Sequence, residues 1–191
     1  MRTKRRKKTA SKRRVSLPRS KRINHTWSMD FVHDRLMDQS KVRMLTIIDD
    51  FSRESIAIEV ARGLKSKEVI CCLSRLKHTR GLPKAIVVDN GSEFVSNEMD
   101  YWAHQNGVEL CFTRPGKPTD NAYIESFNGR LRDECLNTNV FYPLDDAREI
   151  IERWREDYNN WRPHSSLGNQ TPVEYRKKNE STESFGMTQA S

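Results

Sequence analysis

Long apolar runs are missing from this sequence of 191 residues. None approaches the roughly 20 residues that a membrane-spanning helix needs, and none follows the basic N-terminus as a secretory signal would require. The cysteines form no CxxC pair and no spacing with histidine that is typical of zinc; they are Cys71, Cys72, Cys111 and Cys135. We expect one compact domain with tails, no membrane residence, and free, partly buried thiols in a reducing compartment.

Acidic residues are absent from the first 24 positions, which carry twelve of the 34 lysines and arginines. The remaining 22 basic residues stand against 26 acids, so the net charge of +8 combines a strongly basic arm with a mildly acidic body. An arm of this composition is not expected to fold alone. Its charge favours contacts with nucleic-acid phosphates that carry no sequence information, and a solubilising or targeting tail is the alternative. The candidate DNA-binding residues of the arm are Arg5, Arg6, Lys7, Lys8, Arg13 and Arg14.

Hydrophobic periodicity divides the chain into residues 1–25 (the arm), 26–176 (a core with a C-terminal helical segment) and 177–191 (a polar, frayed tail). Three strands with short turns predict an antiparallel meander, and two further strands alternate with helices. The predicted strands are Trp27–Val32, Val42–Phe51, Ser55–Val60, Lys84–Asp89 and Val108–Thr113. One long helix is predicted over Asp120–Asn137, and an amphipathic helix follows Pro143. This order predicts an α/β fold with a ribonuclease-H-like, five-stranded mixed sheet and flanking helices.

Three carboxylates occupy positions where such a fold could use them. Asp30 interrupts an apolar strand, Asp89 ends another, and Glu125 lies in the first turns of a helix, with 35 residues between Asp89 and Glu125. Converging carboxylates repel one another, and they favour Mg²⁺ or Mn²⁺, two ions of which can promote phosphoryl transfer. Taken singly, each acid has an ordinary alternative: a turn cap for Asp30, an Asx turn for Asp89 and a helix-dipole partner for Glu125.

Three further polar side chains are candidates for contacts with DNA. Arg132 follows Glu125 by two helical turns, Asn128 lies between them, and Lys117 belongs to a Pro/Gly loop. The alternatives are a solvated helix arginine for Arg132 and an ordinary loop lysine for Lys117. The neighbouring acids Asp49 and Asp50 are expected to serve a turn.

Several segments together resemble the DDE catalytic core of retroviral integrases and bacterial insertion-sequence transposases. They are WSMDF, VVDNGSEF, the 35-residue gap, and DNAYIESFNGRLR at residues 120–132. The segment DYNNWRPHSSLGNQTPVEY, residues 157–175, is similar to a terminal pattern of the OrfB transposases of the IS-three type. The resemblance implies that Asp30, Asp89 and Glu125 form the catalytic and metal-binding triad, with Arg132 as the basic residue that follows the glutamate.

The same resemblance implies metal-dependent cleavage and strand transfer of DNA during transposition. It also implies DNA as substrate, a homo-oligomer assembled on DNA, and action at the bacterial nucleoid in the cytoplasm. Members of the family carry a helix-turn-helix region ahead of the core, which we expect to be lacking here or supplied by an upstream-frame partner protein. The alternatives are a nuclease of the same fold and a catalytically silent DNA-binding remnant.

Overall fold

The computed structural model describes residues 20–114 and 118–188, so the arm residues Arg5, Arg6, Lys7, Lys8, Arg13 and Arg14, together with Lys117, lie outside the described residues. Five strands form one sheet in the order β3-β2-β1-β4-β5. The strands are β1 (Thr26–Arg35), β2 (Lys41–Asp49), β3 (Ser55–Ala61), β4 (Ala85–Val88) and β5 (Glu109–Phe112). The first three are antiparallel, whereas β1, β4 and β5 run parallel. The predicted five-stranded mixed sheet is confirmed.

Helices cover both faces of the sheet. They are α1 (Ser66–Thr79), α2 (Asn97–Asn106), α3 (Ala122–Leu131), α4 (Leu144–Asn160) and α5 (Pro172–Thr188). Alternation along β1 explains this arrangement: Trp27 and Met29 pack against α1 and α2, while Val32 on the opposite face packs with residues of α3 and α4. Helix α5 extends beyond residue 177, where the sequence predicts a polar, frayed end.

The helix expected over Asp120–Asn137 is divided into three parts. A 3₁₀ turn (Pro118–Asn121) precedes α3, and a π-helical turn (Arg132–Leu136) follows it. The wider π turn keeps Cys135 and Leu136 both buried in the same apolar cluster as Leu131. Because the three elements bury the same side, hydrophobic periodicity alone predicts them as one continuous helix.

All four cysteines are free, as the sequence predicts. Cys71 is exposed on α1, and the other three thiols are buried. Burial raises the pKa of each buried thiol to about 11; these are Cys72, Cys111 and Cys135. No helix within the described ranges is long and apolar enough to cross a membrane.

Candidate active site

Asp30 lies on the central strand β1, within an otherwise apolar stretch. The strand places its backbone in the sheet and directs its side chain toward α3, on the face opposite Trp27 and Met29. Its Oδ1 accepts the N–H of Phe31 at 2.7 Å, and its Oδ2 accepts the Nδ2 amide of Asn128 at 2.9 Å. Because Asp30 is inside the strand, it does not cap a turn.

Asp89 follows β4 directly and therefore lies at the carboxyl edge of the parallel part of the sheet. The β1–β4 register pairs Ser28 with Val87, and its continuation by two residues brings Asp30 opposite Asp89. Neighbouring strands are about 4.8 Å apart. Asp89 Oδ1 accepts the N–H of Gly91 at 2.8 Å, which is the Asx turn considered above. A Cβ atom at position 91 would lie 2.9 Å from that same oxygen, so a larger residue there would require the Asp89 side chain to move.

Glu125 is exposed in the first turn of α3, close to the positive end of the helix dipole. The helix runs along β1, because Asn128 meets Asp30 and Arg132 meets the carbonyl oxygen of His33. Glu125, one turn before Asn128, thereby lies on the exposed flank of the helix that Asn128 shares, and its charge acts on Asp30.

Electrostatics connect the three acids. Burial raises the pKa of Asp30 above its ordinary value, and the negative charges of Asp89 and Glu125 raise it further, whereas the hydrogen bonds from Phe31 and Asn128 lower it. Among the residues that the structure describes, no three His, Cys, Asp or Glu side chains lie close enough to hold a metal ion as they stand. The carboxylates thus approach one another without forming a closed cage.

The donor set nevertheless fits a hard divalent cation. Carboxylate oxygens are the ligands that Mg²⁺ and Mn²⁺ prefer. Asp89 and Glu125 are exposed, so their side chains can change rotamer, while Asp30 is fixed by its two hydrogen bonds. A cation would also relieve the repulsion that raises the pKa of Asp30.

Asn128 has a role that the sequence did not indicate. Its Nδ2 donates to Asp30, and its Oδ1 accepts the hydroxyl of Thr46 at 2.9 Å. Thr46 is fully buried and lies directly opposite Asp30 in the β1–β2 register. In the sequence, the signal for this arrangement is a single threonine, Thr46, between apolar residues of β2. The amide therefore orients a carboxylate, and its predicted contact with DNA stays a prediction.

Arg132 lies on the same side of its helix as Glu125 but at the far end. It is exposed, and its Nη2 donates to the carbonyl oxygen of His33 at 3.1 Å. That carbonyl is three residues beyond Asp30 along β1. Its predicted phosphate contact also stays a prediction.

A second interaction supports the loop that follows Asp89. Glu93 accepts a hydrogen bond from Nη1 of Arg43, which holds the pKa of Glu93 down at about 2. The Arg43 guanidinium carbon lies 3.7 Å from the centroid of the Phe31 ring, and that ring stacks on Phe94 at 5.0 Å. The loop is consequently anchored to β1 and β2 on the face opposite Asp30.

The neighbouring acids at the end of β2 lie elsewhere. Asp49 Oδ1 accepts the backbone N–H groups of Phe51 and Ser52, which is the turn role expected for it. The backbone N–H of Asp50 donates to Thr26 at the start of β1, away from the carboxyl edge. Neither acid adds to the carboxylates around Asp30.

Sheet order, helix placement and carboxylate positions define a ribonuclease-H-like domain with a candidate acidic active site. A family model described as the integrase core domain matches residues 20–118, and a second model with that description matches residues 106–172. This chain belongs to the integrase core domain family, as the sequence motifs predict.

Relatives and solved structures agree with this assignment. The chain is 48% identical over 159 residues to an uncharacterized 31.7 kDa protein of insertion element IS407 from Burkholderia multivorans, covering 83% of this chain and 57% of that protein. It is 26% identical over 159 residues to the transposase InsF for insertion sequence IS3A of Escherichia coli, covering 82% and 55%. The catalytic core domain of HTLV-2 integrase, solved in complex with magnesium, has the same fold with a TM-score of 0.67 at 21% identity, covering 83% and 99%. The chain therefore spans a little over half the length of these two sequence relatives.

Proposed function

We propose that this chain is the catalytic core of a transposase that cleaves DNA and transfers the cut strand to a second site in a metal-dependent reaction. The observation that carries the proposal is the placement of three acids that are distant in sequence: Asp30 on β1, Asp89 directly after β4 and Glu125 on α3, which is tied to Asp30 through Asn128. Burial raises the pKa of Asp30, and the charges of Asp89 and Glu125 raise it further, in agreement with this placement. Membership of the integrase core family and similarity to an insertion-sequence transposase support the same conclusion.

The three acids would hold Mg²⁺ or Mn²⁺, two ions by the usual arrangement of this chemistry. Bound there, the metal supplies activation of the attacking oxygen and charge stabilisation at phosphorus and the leaving oxygen. Asp30 provides the fixed ligand, since Phe31 and Asn128 hold both of its oxygens. Asp89 and Glu125, which are exposed, would provide the other two ligands.

The residues around the three acids position the acids and the DNA. The buried side chains of Ile124, Phe127 and Leu131 fix α3 on the sheet, so Glu125 is carried by a rigid helix rather than by a loop. Gly91 keeps the backbone close to Asp89, and Arg132 is proposed to contact a phosphate near the carboxylates. The basic residues of the arm and Lys117 are proposed to add contacts to the DNA backbone.

Transposition joins two DNA ends, so we also propose that the chain acts as an oligomer on DNA. The HTLV-2 integrase core, which shares the fold, is described in trimeric and dimeric forms. A helix-turn-helix partner protein stays a proposal that rests on the family resemblance alone.

The test is a cleavage and strand-transfer assay on labelled, pre-cut DNA ends with Mg²⁺ or Mn²⁺. Wild type is compared with Asp89→Asn and with Asp145→Asn, whose carboxyl lies on α4 with its side chain 88% exposed. Joined products that need metal, vanish in Asp89→Asn and persist in Asp145→Asn support the proposal. Metal-dependent cleavage without joined product favours a nuclease, and binding without product under either metal favours a silent remnant.

Calorimetric titration of Mn²⁺ without DNA provides a readout that does not depend on turnover. We expect Asp89→Asn to weaken Mn²⁺ binding, because one carboxylate ligand becomes a neutral amide. Equal binding by Asp89→Asn and wild type would remove Asp89 from the metal site.

A further inference from the structure

A cavity of about 250 Å³ lies on the side of α3 that faces away from the carboxylates. Tyr123, Ser126 and Arg130 of α3 line it, at positions that lie across the helix from Glu125 and Asn128. The segment after α4 closes the other side with His164, Ser165 and Ser166. Those three residues belong to the RPHSSL motif, to which the proposed catalytic chemistry gives no role.

Two arginines make the cavity positively charged. Arg130 comes from α3, and Arg53 comes from the turn after β2, where its guanidinium carbon lies 3.4 Å from the centroid of the Tyr123 ring. No carboxylate is found among the described residues that line the cavity. Glu134, whose charge acts on His164, bonds to Trp154 and Arg162. Arg53 donates a hydrogen bond to the backbone carbonyl oxygen of Asp50, and its charge acts on the buried carboxyl group of that residue. An anion is the ligand that this charge favours.

His164 adds a hydrogen-bond donor that lacks an acceptor. Its Nδ1 lies 3.3 Å from Nη1 of Arg130, and because a guanidinium only donates, Nδ1 is the acceptor and Nε2 carries the proton. The residue is 4% exposed, and within the described parts of the chain Nε2 is buried without a hydrogen-bond partner. The edge-to-face contact with Tyr158, at 4.9 Å, fixes the plane of the imidazole ring. An unsatisfied buried N–H group is destabilising, so an acceptor that reaches Nε2 when an anion binds would be stabilising.

We propose that this cavity binds one phosphate group of the DNA backbone, with Arg53, Arg130 and the Nε2–H of His164 as donors. A phosphate offers several acceptor oxygens and a negative charge, which matches two cations and a neutral N–H donor. The volume suits a single small group, since pockets for whole organic ligands usually start near 300 Å³. The hydroxyl groups of Ser165 and Ser166 are exposed at the same cavity and can complete the contacts.

In this proposal one side of α3 carries Glu125 of the candidate active site, and the opposite side carries Arg130 of the phosphate cavity. A helix with its side chains is about 10–12 Å across, which corresponds to about three nucleotides at the rise of about 3.4 Å per nucleotide along the axis of duplex DNA. A phosphate held by Arg130 would thus lie a few nucleotides from the phosphodiester at Glu125. The choice of DNA as the source of the phosphate rests on the proposed function, whereas the preference for a phosphate group rests on the cavity alone.

The test uses the full chain and a short labelled duplex in EDTA, so that no reaction at the carboxylates contributes. Binding is followed by fluorescence anisotropy at several salt concentrations for wild type, Arg130→Gln and Arg53→Gln. The matched control is Arg153→Gln, an arginine of α4 whose side chain is 67% exposed and pairs with Glu149. We expect each cavity variant to bind roughly tenfold more weakly and to lose about one from the slope of log affinity against log salt. Arg153→Gln should match wild type.

A second readout separates a ligand-binding role for His164 from a structural one. The ¹⁵N imidazole resonances are followed while inorganic phosphate, and in a parallel experiment the duplex, is added. We expect both probes to shift the Nε2 resonance of His164 in wild type and not in Arg130→Gln. Thermal unfolding of each variant shows whether the fold is retained.

Three outcomes would overturn the proposal. An unchanged salt slope in folded Arg130→Gln and Arg53→Gln would exclude a backbone contact in the cavity. No resonance shift with either probe would exclude an anion site, and a shift with inorganic phosphate alone would assign the cavity to a small anion instead of DNA. Failure of the strand-transfer assay leaves these binding measurements unaffected, so the two proposals fail independently.

Discussion

Replacing Asp50 by asparagine should stabilise the protein at neutral pH. Asp50 is 7% exposed, and within the described residues its Oδ1 finds no hydrogen-bond partner. Burial raises its pKa to about 7, and the charge of Asp49 adds to this, against a hydrogen bond from Ser28 and the charge of Arg53, which lower it. At physiological pH the folded protein therefore ionises a buried carboxyl group, which is unfavourable. An asparagine amide has nearly the same shape and stays neutral, so the variant avoids this cost.

The magnitude follows from the two protonation equilibria. The folded chain keeps the proton of Asp50 up to about pH 7, whereas the unfolded chain releases it near 3.8. The stabilisation from the protonated form is complete below pH 3.8 and is lost as the pH rises through 7. That difference corresponds to at most about 4 kcal/mol of the free energy of unfolding. The amide of the Asp50→Asn variant has no such equilibrium, so the stability of this variant relative to wild type should increase between pH 4 and 7.

Urea unfolding of the full chain, followed by tryptophan fluorescence at pH values from 4 to 8, measures this difference. Asp145→Asn is the control, since that carboxyl is almost fully exposed and its replacement should give a curve nearly parallel to wild type. A difference between Asp50→Asn and wild type that stays constant from pH 4 to 7 would refute the reasoning, because it would mean that Asp50 does not titrate in this range.

Three further predictions concern the site and the thiols. Asn128→Ala removes the donor that orients Asp30, so its strand-transfer rate should fall roughly tenfold to a hundredfold; a rate equal to that of wild type would contradict this. Glu93→Gln breaks the pair with Arg43 and should cost about 1 kcal/mol of unfolding free energy at pH 7. Because the pKa of Glu93 is about 2 in the folded state, against 4.5 ordinarily, that loss should shrink in urea titrations as the pH falls below 4.5. Alkylation of the native chain at pH 8 should add one adduct, at Cys71, by mass spectrometry, and rapid modification of the three buried thiols would show that they are accessible.

Much of the fold was predictable because the buried strands interrupt a polar sequence. The segment AIVV of β4 is buried along its whole length, and β1 and β2 each carry several buried apolar residues. The strand order is not encoded in such local patterns: β4 joins β1 in parallel although β2, β3 and α1 lie between them in the chain. The end of α3 at Leu131 could not be predicted either, because the π-helical turn that follows continues the apolar side of the helix.

The acids of the candidate site could be predicted from the sequence, but the residues that orient them could not. Asp30, Asp89 and Glu125 stand out as charges at apolar or glycine-rich positions, which is a local signal. Asn128 and Thr46 acquire meaning only from the register that sets Thr46 opposite Asp30 and from the rotation of α3. Likewise, no local pattern shows that Arg130 and His164, 34 positions apart, share a hydrogen-bonding contact.

Similar packing ties the end of α4 to the rest of the domain, although it lies far from the carboxylates. The Tyr158 hydroxyl donates to the carbonyl oxygen of Arg53 at 3.2 Å, and Asn159 bonds both backbone groups of Ser55. Phe127, on α3, contacts the ring of Tyr158 edge-on at 5.0 Å, so α3 packs against α4 as well as against the sheet. Because Glu125 is carried by α3, its distance from Asp30 is set by these contacts as much as by the sheet. Residues 157–175 are therefore structural support for the candidate site, in addition to one wall of the proposed phosphate cavity.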